Sequence, residues 1–129
     1  MKPLNKKAIF TIVAGALALG LVAGEALADR MRASGKISNS CAPDPGAFTV
    51  PGGKTASNFR VEGLNAGRTC TTGQPIQQKG FGIQNANRQT VFRYNGPASL
   101  NGLALAPGTY WLYVDGGIGA AVTVSFDVQ

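Results

Sequence analysis

Pro107-Gly-Thr-Tyr-Trp-Leu-Tyr-Val-Asp115, then Gly116-Gly-Ile-Gly119, then Ala120-Ala-Val-Thr-Val-Ser-Phe-Asp-Val128, is the stretch that decides the fold. It reads as two β-strands joined by a tight, glycine-rich turn, a closing hairpin. In the second strand Val122, Val124, Phe126 and Val128 fall on one face, and Thr123, Ser125 and Asp127 on the other. That is the period-2 alternation of a half-buried antiparallel strand. The first strand is apolar on both sides, with Tyr110, Leu112 and Val114 on one and Trp111 and Tyr113 on the other. Such a strand is central in its sheet or carries a second contact on its outer face.

Upstream, short strand patterns alternate with turn chemistry. Leu100 to Leu105 makes a short strand, and Asn95-Gly96-Pro97 before it is a turn, because Asn and Gly tolerate positive φ and Pro fixes its own. Gln89 to Tyr94 is β-branched and aromatic, as strands favour. Gly80 to Gln84 places Phe81 and Ile83 on one face, and Gly73 to Lys79 is loop. Arg68 to Thr72 is read as a strand carrying Cys70. Asn58 to Glu62 alternates with Phe59 and Val61 inward and Arg60 outward, and Ala47 to Val50 is a further short strand. Cys41-Ala-Pro-Asp-Pro-Gly46 forbids regular structure and marks a turn. Asp29 to Asn39 is polar and basic without clean periodicity, so residues 29–40 are expected to form an exposed, flexible N-terminal arm. No ten-residue window after it has helical spacing, and the chain carries 18 glycines. The expected fold is all-β: a single small antiparallel β-sandwich or jelly roll over residues 41–129.

The first 28 residues do not belong to that fold. Lys2, Lys6 and Lys7 precede an uncharged apolar run from Ala8 to Gly24, and Ala26-Leu27-Ala28 supplies small residues for cleavage. This is the layout of a secretory signal peptide, cut between Ala28 and Asp29. The remaining 101 residues make one domain. Export puts Cys41 and Cys70 in an oxidising compartment, periplasmic or extracellular, where one disulfide between them is expected. Without the three lysines and Glu25 of the leader, nine Lys or Arg face five Asp or Glu, a net charge near +4. The basic residues are scattered, so no nucleic-acid footprint is indicated.

The segment Leu103-Ala-Leu-Ala-Pro-Gly-Thr-Tyr-Trp-Leu-Tyr-Val114, a short turn and Ala121-Val-Thr-Val-Ser-Phe-Asp-Val128 resembles the end of bacterial pre-peptidase C-terminal domains. The resemblance covers about a fifth of the chain. It implies a secreted jelly-roll sandwich of the kind appended to exported enzymes.

Catalytic chemistry finds no purchase in the sequence. Nucleophilic catalysis needs a base against a Ser, Thr or Cys, and the chain has no histidine. Of the carboxylates beyond residue 28, Asp115 reads as a turn residue making an Asx-type hydrogen bond, and Asp127 and Glu62 read as solvated. Calcium needs several clustered oxygen ligands, which no Asp-rich loop provides. Gly80-Phe-Gly-Ile-Gln lacks the helix of a phosphate cradle. The expectation is a protein that is not an enzyme, with no catalytic residues, no metal and no cofactor. Recognition is the better prospect. Trp111 and Tyr113, extended by Arg93 and Tyr94, form a candidate binding surface of flat aromatics that stack on sugars or dock a partner. The competing reading is that a loop or the N-terminal arm covers Trp111. The expected function is that of an exported, non-enzymatic structural or interaction protein of the envelope or exterior. Its partners would be itself, another envelope protein or, alternatively, a polysaccharide. Membrane contact is expected only through the signal peptide before cleavage.

Overall fold

In the computed structural model, residues 29–129 are described, and the signal peptide expected over residues 1–28 lies outside them. The strands are β1 (Asp29–Ile37), β2 (Pro43–Asp44), β3 (Gly46–Val50), β4 (Ala56–Asn65), β5 (Gly80–Asn85), β6 (Thr90–Arg93), β7 (Gly108–Asp115) and β8 (Ala121–Val128), with a 3-10 turn at Pro97–Leu100. They form two four-stranded sheets, ordered β2-β1-β8-β4 and β3-β7-β5-β6. Apart from the two-residue β2, the pairing is nested. The first strand lies beside the last, β3 pairs antiparallel with β7, and β5 pairs antiparallel with β6. Ala56 at the start of β4 exchanges backbone hydrogen bonds with Leu105, at 3.0 and 2.9 Å. Leu105 thus holds the place of one more strand, and the winding is that of a jelly roll.

The alternation in β8 explains why the layers stack. Val122, Val124, Phe126 and Val128 are all buried between the sheets. Phe126 sits between Phe48 and Phe59, with ring centroids 5.1 and 4.9 Å away. A second aromatic group packs Phe81 against Phe92 and Tyr94, at 6.0 and 4.8 Å. Such pairs add roughly 0.5–1.5 kcal/mol each beyond the area they bury. As its two apolar faces require, β7 is central, flanked by β3 and β5. Tyr110, Leu112 and Val114 enter the core, and the Tyr110 hydroxyl donates to the Ala106 carbonyl at 2.7 Å.

Four local expectations are corrected. Residues 29–37 are not an arm but β1, a nine-residue strand beside β8. Met31, Ala33, Gly35 and Ile37 turn inward, and the small size of Ala33 and Gly35 hid the period-2 signal. The last two strands are not a hairpin: β7 and β8 lie in opposite sheets, and the turn between them crosses the sandwich. That turn is held by foreign backbone. Gly117 N–H donates to the Ala66 carbonyl at 3.0 Å, Ile118 N–H to Arg68 at 2.7 Å and Gly119 N–H to Ile37 at 3.2 Å. Its glycines serve close approach, since a Cβ at Gly117 would overlap the Arg68 carbonyl. Residues 68–72 form turns rather than a strand, with Arg68 bridging singly to Pro75 and Ile118. Residues 100–105 make the end of the 3-10 turn and the single bridge at Leu105, because Gly102 at φ +79° breaks the extended run.

The outer edge of β4, which among the described residues is bridged only at Ala56 by Leu105, is blunted. Its pairing with β8 slips between Ser57 and Arg60 and again between Val61 and Gly63. The 3-10 turn packs against it. Bulges and a covering segment are the devices that discourage strand addition at an edge.

Candidate functional site

The outer face of the β3-β7-β5-β6 sheet carries Trp111, Tyr113 and Asp115 in a row, because alternate residues of β7 point away from the core. Their cross-strand neighbours set what lies beside each. Trp111 stands between Ala47 on β3 and Gln84 on β5, and Tyr113 stands beside Gly82 on β5. Gly82 has no side chain to lift the tyrosine. The Tyr113 ring therefore lies over the β5 backbone, where a Cβ at Gly82 would overlap it. The Arg93 guanidinium carbon lies 5.9 Å from the centroid of the same ring. Trp111 and Tyr113 are both half-buried, and neither is a core residue.

Three guanidinium contacts complete the surface. Arg93, opposite Gly82 on β6, donates to the Tyr113 hydroxyl at 3.0 Å and forms an ion pair with Asp115 at 2.6 Å. The hydrogen bond to Tyr113 and the pair with Asp115 hold the Arg93 guanidinium still more firmly protonated than usual. Thr90 adds a hydroxyl 3.4 Å from that of Tyr113. Arg88 lies over the Trp111 ring, its guanidinium carbon 4.2 Å from the ring centroid. It reaches there from the β5–β6 turn with φ +63°, a left-handed conformation that costs a non-glycine residue ~1–2 kcal/mol. The turn enforces it. Asn85 Oδ1 accepts from the N–H groups of Asn87 and Gln89, both at 3.0 Å, and Arg88 N–H donates to the Asn85 carbonyl at 2.9 Å.

Of the expected surface residues, Trp111, Tyr113 and Arg93 come together. Tyr94 does not join them: it faces the other way and stacks on Phe81 in the interior, at 4.8 Å. Asp115 makes an ion pair rather than an Asx turn. Cys41 and Cys70 form a disulfide with Cα atoms 6.0 Å apart.

The other sheet carries a polar network on its outer face. Arg30 pairs with Asp127 at 2.7 Å and donates to Ser125 Oγ at 2.8 Å, and Ser125 donates to Glu62 Oε2 at 2.5 Å. Asn58 donates to the second Asp127 oxygen at 2.9 Å. The bond from Ser125 lowers the Glu62 pKa below the ordinary carboxylate value, and the bonds from Arg30 and Asn58 lower that of Asp127. Ser125 is only 1% exposed, so no substrate reaches its hydroxyl past Arg30 and Glu62. The cluster ties β1, β8 and β4 together. Among the described residues, no group of three or more His, Cys, Asp or Glu is placed to hold a metal ion.

No protein-family model, characterised protein or solved structure matches the chain. The likeness to pre-peptidase C-terminal domains therefore rests on the quoted residues alone, and any functional reading rests on the surface itself.

Sequence reasoning missed Arg88 and the Arg30–Ser125–Glu62 cluster. The first had a faint signal, an Asn-Ala-Asn-Arg-Gln turn leading into a strand. Only the register of β5 against β7 brings that turn over Trp111. The second had none, because it joins positions 95 and 63 residues apart.

Proposed function

We propose that this is an exported, non-enzymatic interaction protein of the cell envelope or exterior that works by surface contact. The contact surface is the outer face of the β3-β7-β5-β6 sheet. One observation carries the reading: Trp111 and Tyr113, two half-buried aromatics, stand side by side on a face that needs neither of them for its core. A disulfide-bonded sandwich whose first residues read as a signal peptide suits an oxidising compartment. A partner laid on this face would meet apolar rings for area, with Arg93, Asp115, Gln84 and Thr90 for orientation.

The test compares wild type with Trp111→Ala/Tyr113→Ala and with Thr123→Arg on the opposite sheet. Co-sedimentation with isolated envelope material and sedimentation velocity at rising concentration read polymer binding and self-association respectively. The expected result is association lost in the aromatic variant, with its folded spectrum retained, and kept in Thr123→Arg. Association untouched by loss of both rings would overturn the proposal. A second reading, polysaccharide rather than protein as the partner, draws on the same two rings. They are two residues apart on one strand, ~7 Å by the strand rise, a spacing along one line that suits a linear polymer of rings.

A further inference from the structure

The polar groups around the two rings have a definite charge. Of the five carboxylates among the described residues, only Asp115 belongs to the β3-β7-β5-β6 sheet, and Arg93 already neutralises it. Arg88 is different. Among the described residues it has no carboxylate partner, and its side chain makes no hydrogen bond; its single close contact of note is the face of Trp111. A guanidinium stacked on an indole keeps its N–H groups in its own plane, pointing past the ring edge. It can thus stay stacked while both N–H donors of one edge take a carboxylate. The turn that carries Arg88 holds a left-handed backbone conformation at a residue that is not glycine, and strain of this kind persists where the surroundings over-determine it. The result is a cation over Trp111 and beside Tyr113, whose own ring has the Arg93 guanidinium carbon 5.9 Å from its centroid, on a sheet with no spare negative charge.

We propose that this face binds an acidic polysaccharide, one whose sugar rings bear carboxylates. The inference rests on the reading of the face as a contact surface and names its partner. A sugar ring packs against the exposed side of Tyr113, and a carboxylate of the polymer is taken by the Arg88 guanidinium that lies over Trp111. Arg93, Thr90 and Gln84 stand within the same patch to meet hydroxyls.

Trp111 is the only tryptophan in the chain, so its fluorescence reports this site without labelling. Wild-type protein is titrated with oligogalacturonate, with a neutral cello-oligosaccharide of equal length, and with polyglutamate, at low and at high salt. The expected result is saturable quenching by oligogalacturonate alone, weakening at least tenfold as salt rises from about 0.05 to 0.5 M. Arg88→Gly should weaken that binding at least tenfold while leaving the melting temperature within a few degrees, since glycine accepts the left-handed turn. Arg88→Lys should recover only part of the loss, because an ammonium cannot stack and chelate together.

Equal binding of polyglutamate would overturn the proposal in favour of charge alone. Equal or better binding of the neutral oligosaccharide would overturn it in favour of stacking alone. Binding that survives Arg88→Gly would remove the residue from the site and overturn it likewise. If no glycan binds at millimolar concentration, the acidic-polysaccharide inference falls. The broader contact reading then still stands or falls on whether the Trp111→Ala/Tyr113→Ala variant loses envelope association.

Discussion

Replacing both cysteines, Cys41→Ala with Cys70→Ala, isolates what the disulfide does for so small a sandwich. The two residues are 29 apart in sequence, and the segment between them contains β3 and β4, which pair with β7 and β8 in opposite sheets. The bridge therefore constrains a part of the unfolded chain that must reach both layers. For a closed loop of that length the chain-entropy relation gives about 12 cal/mol/K, or ~3.6 kcal/mol at 25 °C. Set against the ~5–15 kcal/mol typical of a domain, this is a quarter or more of the total. At ~4–8 °C per kcal/mol for a domain of this size, the melting temperature should fall by roughly 14–29 °C. Urea titration followed by circular dichroism separates the mechanism from the magnitude. If the bridge acts by compacting the unfolded ensemble, its removal raises the m-value as well as lowering the midpoint. A loss under about 1 kcal/mol, or a full loss with an unchanged m-value, would refute the entropic reasoning.

Phe126→Ala empties the site between Phe48 and Phe59 and should cost ~3–5 kcal/mol in urea unfolding; a cost near 1 would mean that the two flanking rings close the gap. Gly117→Ala forces a Cβ into the Arg68 carbonyl and should cost ~1–3 kcal/mol. Gly52→Ala, with open space around it, should stay within ~0.5 kcal/mol, and equal effects at the two positions would contradict the close-approach role. Acid should destabilise the protein through Glu62 and Asp127, whose folded pKa values lie below the ordinary carboxylate values. Their contribution is fully present above the unfolded values near ~4 and is lost as pH falls through the lower folded values. Melting temperatures across that range should drop less steeply in Glu62→Gln combined with Asp127→Asn, and parallel profiles would remove these carboxylates from the acid response.

The layers were readable where large apolar side chains alternate. β8 announces itself through Val122, Val124, Phe126 and Val128, and β7 through apolar residues on both faces, which put it at the middle of a sheet. β1 escaped notice because two of its inward positions are Ala33 and Gly35, chosen by the nearness of the opposite sheet; a Cβ at Gly35 would overlap the Leu112 carbonyl. The missed crossover has a similar cause. A glycine-rich link between two strands is the mark of a hairpin, yet Gly116 and Gly117 are there to pass under the backbone at Ala66 and Arg68. At the site, the two rings on one face were legible from period 2. The left-handed turn that lays Arg88 on Trp111 was not, since register is a long-range property.

The position of β1 sets an order of events. Its neighbours are the two-residue β2 and the final strand, with Arg30 near the start of the described chain held to Asp127 near its end. The opening strand thus waits, essentially unpaired, until the closing one emerges from whatever is making or threading the chain. Contacts spanning nearly the whole length are slow to form. The export proposed for this chain would make that delay an asset, because the fold could not close before the last strand had crossed.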